Sequence, residues 1–329
     1  MKVAVVGAGS WGTTVASMLA LKTDTVLWAR RPELAERINK GANPDYLPGF
    51  ELPGELTATT DIETAIAGAD AIVMSVPSHG FRSVLEQAST TINPETPILS
   101  LSKGIEQSSL MRMTEVVSDV LRDHNHSHVG VLTGPNLARE IMSGQPAATV
   151  IAMTSHTAAV DLQTVFMGPL FRVYTNPDVV GAESAGALKN VMAIAAGMAE
   201  GLGFGLNTVS MLMTRALVEM SRLGVAMGGR PSTFAGLAGM GDLIATCMSS
   251  ESRNHRVGLG LGRGKSIDEI VSEMNMVAEG VKSTKGILAL ADRYSIEMPI
   301  AEQVGRVLYE DASVPEAIAI LMGRSAKPE

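Results

Sequence analysis

Gly7, Gly9 and Gly12 constrain this chain more than any other residues. They form a G-x-G-x-x-G turn between a short β-branched run, Lys2 to Val6, and a stretch with helical spacing, Thr13 to Lys22. Strand, glycine turn and helix in that order open a βαβ unit. The first glycine of such a turn lets the backbone reverse tightly, the second lets it approach a bound group, and the third lets the helix pack on the strand. Free N–H groups at the helix start then favour a pyrophosphate. A second apolar run, Thr25 to Trp28, follows at about the twenty-residue spacing of such a unit. The head of the chain therefore reads as a dinucleotide site.

Further strands are expected at Leu56 to Thr59, Ala71 to Val76, Pro97 to Ser102, Val129 to Thr133, Ala147 to Ala152 and Phe171 to Tyr174, with helical segments between most of them. This alternation predicts an α/β fold with a doubly wound, mainly parallel Rossmann-type sheet. After it the pattern changes to Ala/Leu/Met-rich segments of 3.6-residue spacing: Glu183 to Leu202, Asn207 to Leu223, Arg230 to Ala238, Ser252 to Leu261, Ser266 to Met274, Val281 to Tyr294, Pro299 to Leu308 and Val314 to Leu321. An all-helical second domain is predicted. The length of 329 residues suits two domains, a dinucleotide-binding domain over 1–180 and a helical substrate-binding and catalytic domain over 181–329.

Composition limits the function classes. A net charge of −8 argues against a nucleic-acid binder, which needs a basic face. A lone cysteine, Cys247, excludes an internal disulfide and fits the cytoplasm. Glycines and hydroxyl residues interrupt the apolar start, against a secretory signal, and Lys189, Asn190, Glu200, Asn207 and Arg215 break the most hydrophobic region, against a membrane span.

The chemistry-bearing residues fall into few places. At the end of the second predicted strand, where an NAD-selective site carries an acidic residue, this chain has Arg30 and Arg31. Two guanidinium groups suit a 2′-phosphate, so NADP(H) is favoured and NAD(H) remains possible. Lys103 and the Gly134 to Ala138 stretch follow successive strands, at the sheet edge where ligands bind. Lys189 places a cation inside an apolar helix, where it is costly unless paired or tuned for proton transfer; otherwise it snorkels to the surface or makes a structural ion pair. Asp242 is suited either to bind a substrate hydroxyl or to orient Lys189. Ser252, Arg253 and Asn254 at a helix start offer donors to a phosphate, or else an N-cap and a solvated face. His124, His126 and His128 share one short loop without evident supporting ligands, so no metal is expected, and Cys247 reads as an inert buried thiol.

Taken together the motifs Gly7 to Gly12, Asn43-Pro44-Asp45-Tyr46-Leu47-Pro48, Ser102-Lys103-Gly104, Gly134-Pro135, Gly186-Ala187-Leu188-Lys189-Asn190, Gly241-Asp242-Leu243, Ser252-Arg253-Asn254 and Ala278-Glu279-Gly280-Val281 resemble those of bacterial NAD(P)-dependent glycerol-3-phosphate dehydrogenases over nearly the whole chain. The resemblance implies that Ser10, Trp11, Arg30, Arg31, Lys103, Ala138, Arg253, Val277 and Glu279, with the turn glycines, contact the cofactor. It assigns Lys103, Gly134, Asn136, Lys189, Asp242, Ser252, Arg253 and Asn254 to the substrate, with Lys189 as proton acceptor. Asn136 stands where the family usually has Ser or Thr, and Glu183-Ser184-Ala185-Gly186 is an unusual spelling of the stretch before the lysine. The implied reaction interconverts dihydroxyacetone phosphate and sn-glycerol 3-phosphate, feeding phospholipid synthesis. The apolar helical half fits a homodimer, or burial of the same surface between domains.

Overall fold

The structure, a computed structural model, describes residues 1–274 and 278–325. It divides into two compact units, unit 1 with residues 1–103 and 111–183, and unit 2 with residues 104–110 and the chain from Ser184 onward.

Unit 1 alternates strands and helices as β1 (Lys2–Val6), α1 (Ser10–Ala20), β2 (Asp24–Trp28), α2 (Pro32–Asn39), β3 (Thr57–Thr59), α3 (Ile62–Ile66), β4 (Ala71–Met74), α4 (Ser78–Ala88), β5 (Ile98–Ser100), α5 (Met113–Val120), β6 (Val129–Thr133), α6 (Ala138–Met142), β7 (Ala147–Met153), α7 (His156–Phe166) and β8 (Phe171–Asn176). The strands form one sheet in the order β3-β2-β1-β4-β5-β6-β7-β8. Within this sheet, among the described residues, the β6–β7 pairing is antiparallel and the others are parallel. Residues of β4 and β6 are buried without exception, which is why these strands read as unbroken apolar runs. β8 alternates buried and exposed residues, as an edge strand does. The direction of winding reverses between β1 and β4, the topological position at whose carboxyl strand ends open α/β sheets bind ligands.

The helical elements that follow are α8 (Val179–Gly201), α9 (Leu206–Ala226), α10 (Pro231–Phe234), α11 (Asp242–Met248), α12 (Arg253–Gly262), α13 (Ile267–Ser272), α14 (Glu279–Arg293), α15 (Pro299–Tyr309) and α16 (Val314–Met322). α8 is buried on nearly every side from Gly181 to Ala199, so its sequence has no polar face. It forms the axis of a core with Met220, Phe234, Leu243, Val257, Ile287 and Val304. Asp178 starts α8 earlier than its apolar pattern suggests, because its carboxylate accepts the Gly181 N–H at 2.9 Å. The segment expected as one helix from Arg230 to Ala238 instead holds short α10 and then a π-helical turn, Leu237–Gly241. Gly239 permits the fold-back, since a Cβ there would lie 2.1 Å from the Phe234 carbonyl oxygen.

Candidate active site

In unit 1 the three glycines of the turn meet three different demands. Gly7 has φ +118°, and a Cβ there would lie 2.7 Å from the Ser75 carbonyl oxygen just past β4. A Cβ on Gly12 would sit 2.0 Å from the Gly7 carbonyl oxygen, so only glycine lets α1 lie this close to the turn. A Cβ on Gly9, by contrast, meets nothing within 4 Å. Gly9 is also the N-cap of α1 and has no side chain to cap it, so a bare cradle of backbone N–H groups opens beside β1. This cradle fits a dinucleotide pyrophosphate.

The Asn43 to Pro48 segment supports the turn. Asn43 Nδ2 donates to the Ala8 carbonyl at 3.1 Å and to Thr13 Oγ1 at 2.8 Å, and Ser10 Oγ donates to the Tyr46 carbonyl at 2.7 Å. Trp11 packs against Phe171 with ring centroids 6.3 Å apart, and its buried indole N–H has no acceptor among the described residues. Arg30 is exposed. Arg31, the N-cap of α2, is ion-paired with Asp45.

The carboxyl ends of β5 and β6 bring the next residues together. Lys103 Nζ donates to the Gly134 carbonyl at 3.1 Å. Asn136 Nδ2 donates to Thr149 Oγ1 at 2.8 Å, while its buried Oδ1 has no donor among the described residues. Ala138 opens α6, one turn further.

In unit 2 the centre is Lys189. It lies on α8 among apolar neighbours and is 5% exposed, too buried to snorkel. Its ammonium is instead paired, donating to Asp242 Oδ1 at 2.5 Å and to Thr246 Oγ1 at 2.5 Å. Asp242 and Thr246 lie one turn apart on α11 and face the same way. Asp242 follows directly on the π-helical turn, which aims its carboxylate into α8. Cys247 lies next to Thr246, and burial pushes its thiol up to about 12, which makes it unreactive at neutral pH.

Glycine-to-backbone packing fixes α12 on α8. A Cβ on Gly258 would lie 1.9 Å from the Ile194 carbonyl oxygen, and one on Gly197 would lie 2.1 Å from the His255 carbonyl oxygen. This contact sets the start of α12, where Ser252 Oγ caps the helix by accepting the His255 N–H at 3.2 Å. Arg253 is the first helical residue and is exposed. Asn254 is buried and donates to Asn190 Oδ1 at 2.9 Å, while its own Oδ1 accepts the Gly280 N–H at 2.9 Å. Its amide thus bridges α8 and the start of α14, where Glu279 is the first residue.

Unit 1 therefore carries Gly7, Gly9, Ser10, Trp11, Gly12, Arg30, Arg31, Lys103, Gly134, Asn136 and Ala138, and unit 2 carries Lys189, Asp242, Ser252, Arg253, Asn254 and Glu279. Val277 lies outside the described residues. Sequence reasoning gave Thr246 no role, although its position four residues after Asp242 on one helix face is a usable signal. The histidine loop does not converge on a common point. His128 Nδ1 bonds the Glu95 carbonyl at 2.8 Å, His126 Nε2 lies 3.3 Å from the Leu121 carbonyl, and the buried Nε2 of His124 has no partner among the described residues. Among the described residues no three His, Cys, Asp or Glu side chains form a group that could hold a metal, and no helix is long and apolar enough to cross a membrane.

Comparison with known proteins adds the family. The profile of the NAD-dependent glycerol-3-phosphate dehydrogenase N-terminus matches residues 2–159, and that of the C-terminus matches residues 178–319. A Sphingopyxis alaskensis protein named glycerol-3-phosphate dehydrogenase [NAD(P)+] 2 is 57% identical over 305 residues, covering 92% of this chain and 91% of its own. A Thermobifida fusca protein named glycerol-3-phosphate dehydrogenase [NAD(P)+] is 50% identical over 331 residues, 100% of this chain and 98% of its own. The solved structure of glycerol-3-phosphate dehydrogenase from Coxiella burnetii superposes with a TM-score of 0.93 at 37% identity, covering 98% of this chain and 99% of that one. With a doubly wound sheet that presents an open glycine cradle, a helical unit built around a paired lysine, and matches of this extent, the chain belongs to the NAD-dependent glycerol-3-phosphate dehydrogenase family.

Proposed function

We propose that this protein catalyses the nicotinamide-dependent interconversion of dihydroxyacetone phosphate and sn-glycerol 3-phosphate, supplying glycerol 3-phosphate for phospholipid synthesis. The observation that carries the chemistry is the buried Lys189 held at 2.5 Å by both Asp242 and Thr246. The nicotinamide, when bound, supplies or accepts the hydride exchanged with substrate C2.

The protein's own residues do the rest. In reduction the Lys189 ammonium polarises the ketone oxygen and donates a proton as the alkoxide develops, and in oxidation the neutral amine takes the proton back. Asp242 and Thr246 fix the position of Nζ. Arg253, exposed at the N-terminus of α12, binds the substrate phosphate with the aid of the helix dipole, and Ser252 and Asn254 hold that first turn in shape. Binding energy from the phosphate is thereby converted into orientation of C2. Lys103 and Gly134 hold the substrate on the sheet side, and the unpartnered Asn136 Oδ1 accepts from a substrate hydroxyl.

Gly7, Gly9, Ser10, Trp11 and Gly12 receive the pyrophosphate end of the cofactor, Arg30 and Arg31 receive a 2′-phosphate, and Lys103, Ala138, Arg253, Val277 and Glu279 complete its contacts. NADP(H) is favoured and NAD(H) is accepted. In this reading residues 1–180 are the dinucleotide-binding domain and 181–329 the substrate and catalytic domain. The protein works in the cytoplasm as a homodimer. Exposed Met240, Ile244 and Met248, at four-residue spacing, offer an apolar stripe for a second copy.

The test is loss of NADPH absorbance on adding dihydroxyacetone phosphate, set beside a panel of keto acids. Rapid consumption with dihydroxyacetone phosphate alone is expected. Consumption with a keto acid and none with dihydroxyacetone phosphate would overturn the proposal.

A further inference from the structure

The arginines at the end of β2 are not alone. Asp45 sits among them and uses both of its carboxylate oxygens on guanidinium groups, Oδ2 on Arg31 and Oδ1 on Arg37 at 3.1 Å. Its position is imposed by the loop that bears it. Asn43 is tied to Ala8 and Thr13, and the Tyr46 carbonyl is tied to Ser10, so the residues on either side of Asp45 are anchored to the glycine turn. Tyr46 also lies under Arg31, whose Cζ is 5.9 Å from the ring centroid.

We propose that Asp45 is a cofactor-specificity residue: it is the resident counter-ion of Arg31 and Arg37, and it competes with the 2′-phosphate of NADP(H) for the Arg31 guanidinium. The inference rests on the reading of Arg30 and Arg31 as the 2′-phosphate site. The charges explain the competition. Arg30, Arg31 and Arg37 carry three positive charges, and Asp45 together with Glu33, 3.9 Å from Arg31 Nε, returns two negative ones. A cofactor with a plain ribose diol meets arginines that are already compensated. A 2′-phosphate must instead take Arg31 from Asp45 and tolerate the carboxylate nearby. Exchange of partners is easy because the side chains of Arg31 and Asp45 are 40% and 31% exposed, and ion pairs so open to water are weak. Asp45 thus tempers the preference for NADP(H) over NAD(H).

The experiment measures dissociation constants of NADPH and NADH for the intact enzyme by calorimetric titration without substrate. Asp45→Asn should tighten NADPH by about two- to five-fold, the scale of an exposed ion pair, and leave NADH unchanged. Asp45→Ser should do the same, which guards against a local effect of the amide. In an Arg31→Ala background Asp45→Asn should tighten NADPH by less than in the parent, since only the repulsion between carboxylate and phosphate is then relieved. Weaker NADPH binding in Asp45→Asn, or equal tightening of both cofactors, overturns the inference. If Arg30→Ala with Arg31→Ala weakens NADPH and NADH equally, the 2′-phosphate reading itself fails. If that pair is selective for NADPH and Asp45→Asn changes nothing, only the role of Asp45 fails.

Discussion

The glycine turn of unit 1 and the lysine centre of unit 2 are built in opposite ways. The turn is made of backbone, within six consecutive residues, and its fitness lies in missing side chains: Gly7 and Gly12 have no room for a Cβ, and Gly9 keeps a space open. The lysine centre is made of side chains separated by 53 and 57 positions in sequence, and it exists only because α8 and α11 pack in one way. The geometry of the turn is therefore a property of local conformation. That of the lysine centre is a property of tertiary structure, and the proposed proton transfer rests on its one ammonium.

The contrast can be broken by substitution. The largest effect is expected for Lys189→Ala, which should cut turnover by roughly 10³-fold or more, the scale of a lost acid–base and electrostatic group, while NADPH still binds. Near-normal turnover would remove Lys189 from the chemistry. Next come two glycine substitutions that should behave differently. Gly258→Ala drives a Cβ into the Ile194 carbonyl oxygen and should destabilise unit 2 by about 2–3 kcal/mol in denaturant unfolding. Gly9→Ala meets no protein atom, so stability should be kept while NADPH binding falls. Equal stability losses in the two variants would contradict the distinction.

A smaller effect is expected at the cofactor edge. Arg30→Ala with Arg31→Ala should raise the Michaelis constant for NADPH about ten-fold more than that for NADH, the scale of one or two charge-assisted hydrogen bonds. The smallest effect concerns Glu219 on α9. This buried carboxylate accepts the Ile300 N–H at 2.9 Å, at the start of α15, and burial pushes its pKa up to about 7, opposed by the Ile300 and Ala301 N–H groups and by Arg215 and aided by Glu302. Because the folded protein holds this proton more tightly than the unfolded chain, the stability it contributes is full below pH 4.5 and is lost as pH rises through about 7. Glu219→Gln should abolish that slope and raise Tm relative to the parent at pH 8 by a few degrees at most. An unchanged slope would show that Glu219 does not titrate in this range.

Much of unit 1 was legible because buried parallel strands are continuous apolar runs and the glycine turn is contiguous. Ends were less so: β5 stops at Ser100, where pairing with β6 ends, although the apolar run continues to Leu101. In unit 2 the lysine segment was legible as a charge in an apolar helix, and Ser252 as a helix start. What the sequence withheld was set by three-dimensional packing. The letters leave Asp242 between a substrate hydroxyl and Lys189, and nothing in them shows that Asn254 spans Asn190 and Gly280, or that residues 104–110 pack with the helical unit, where Gln107 bonds the Lys282 carbonyl at 2.6 Å. The break at Leu237–Gly241 was hidden because helix propensity does not register a fold-back that depends on Phe234.

The central claim is that a phosphate held by Arg253 presents a ketone to Lys189. The most direct measurement compares kcat/KM for dihydroxyacetone phosphate and for unphosphorylated dihydroxyacetone in the parent enzyme and in Arg253→Ala. The parent should favour the phosphorylated substrate by several orders of magnitude, and Arg253→Ala should close that gap by about 10- to 100-fold, acting on the phosphorylated substrate alone. A gap of the same size in both enzymes would contradict the account.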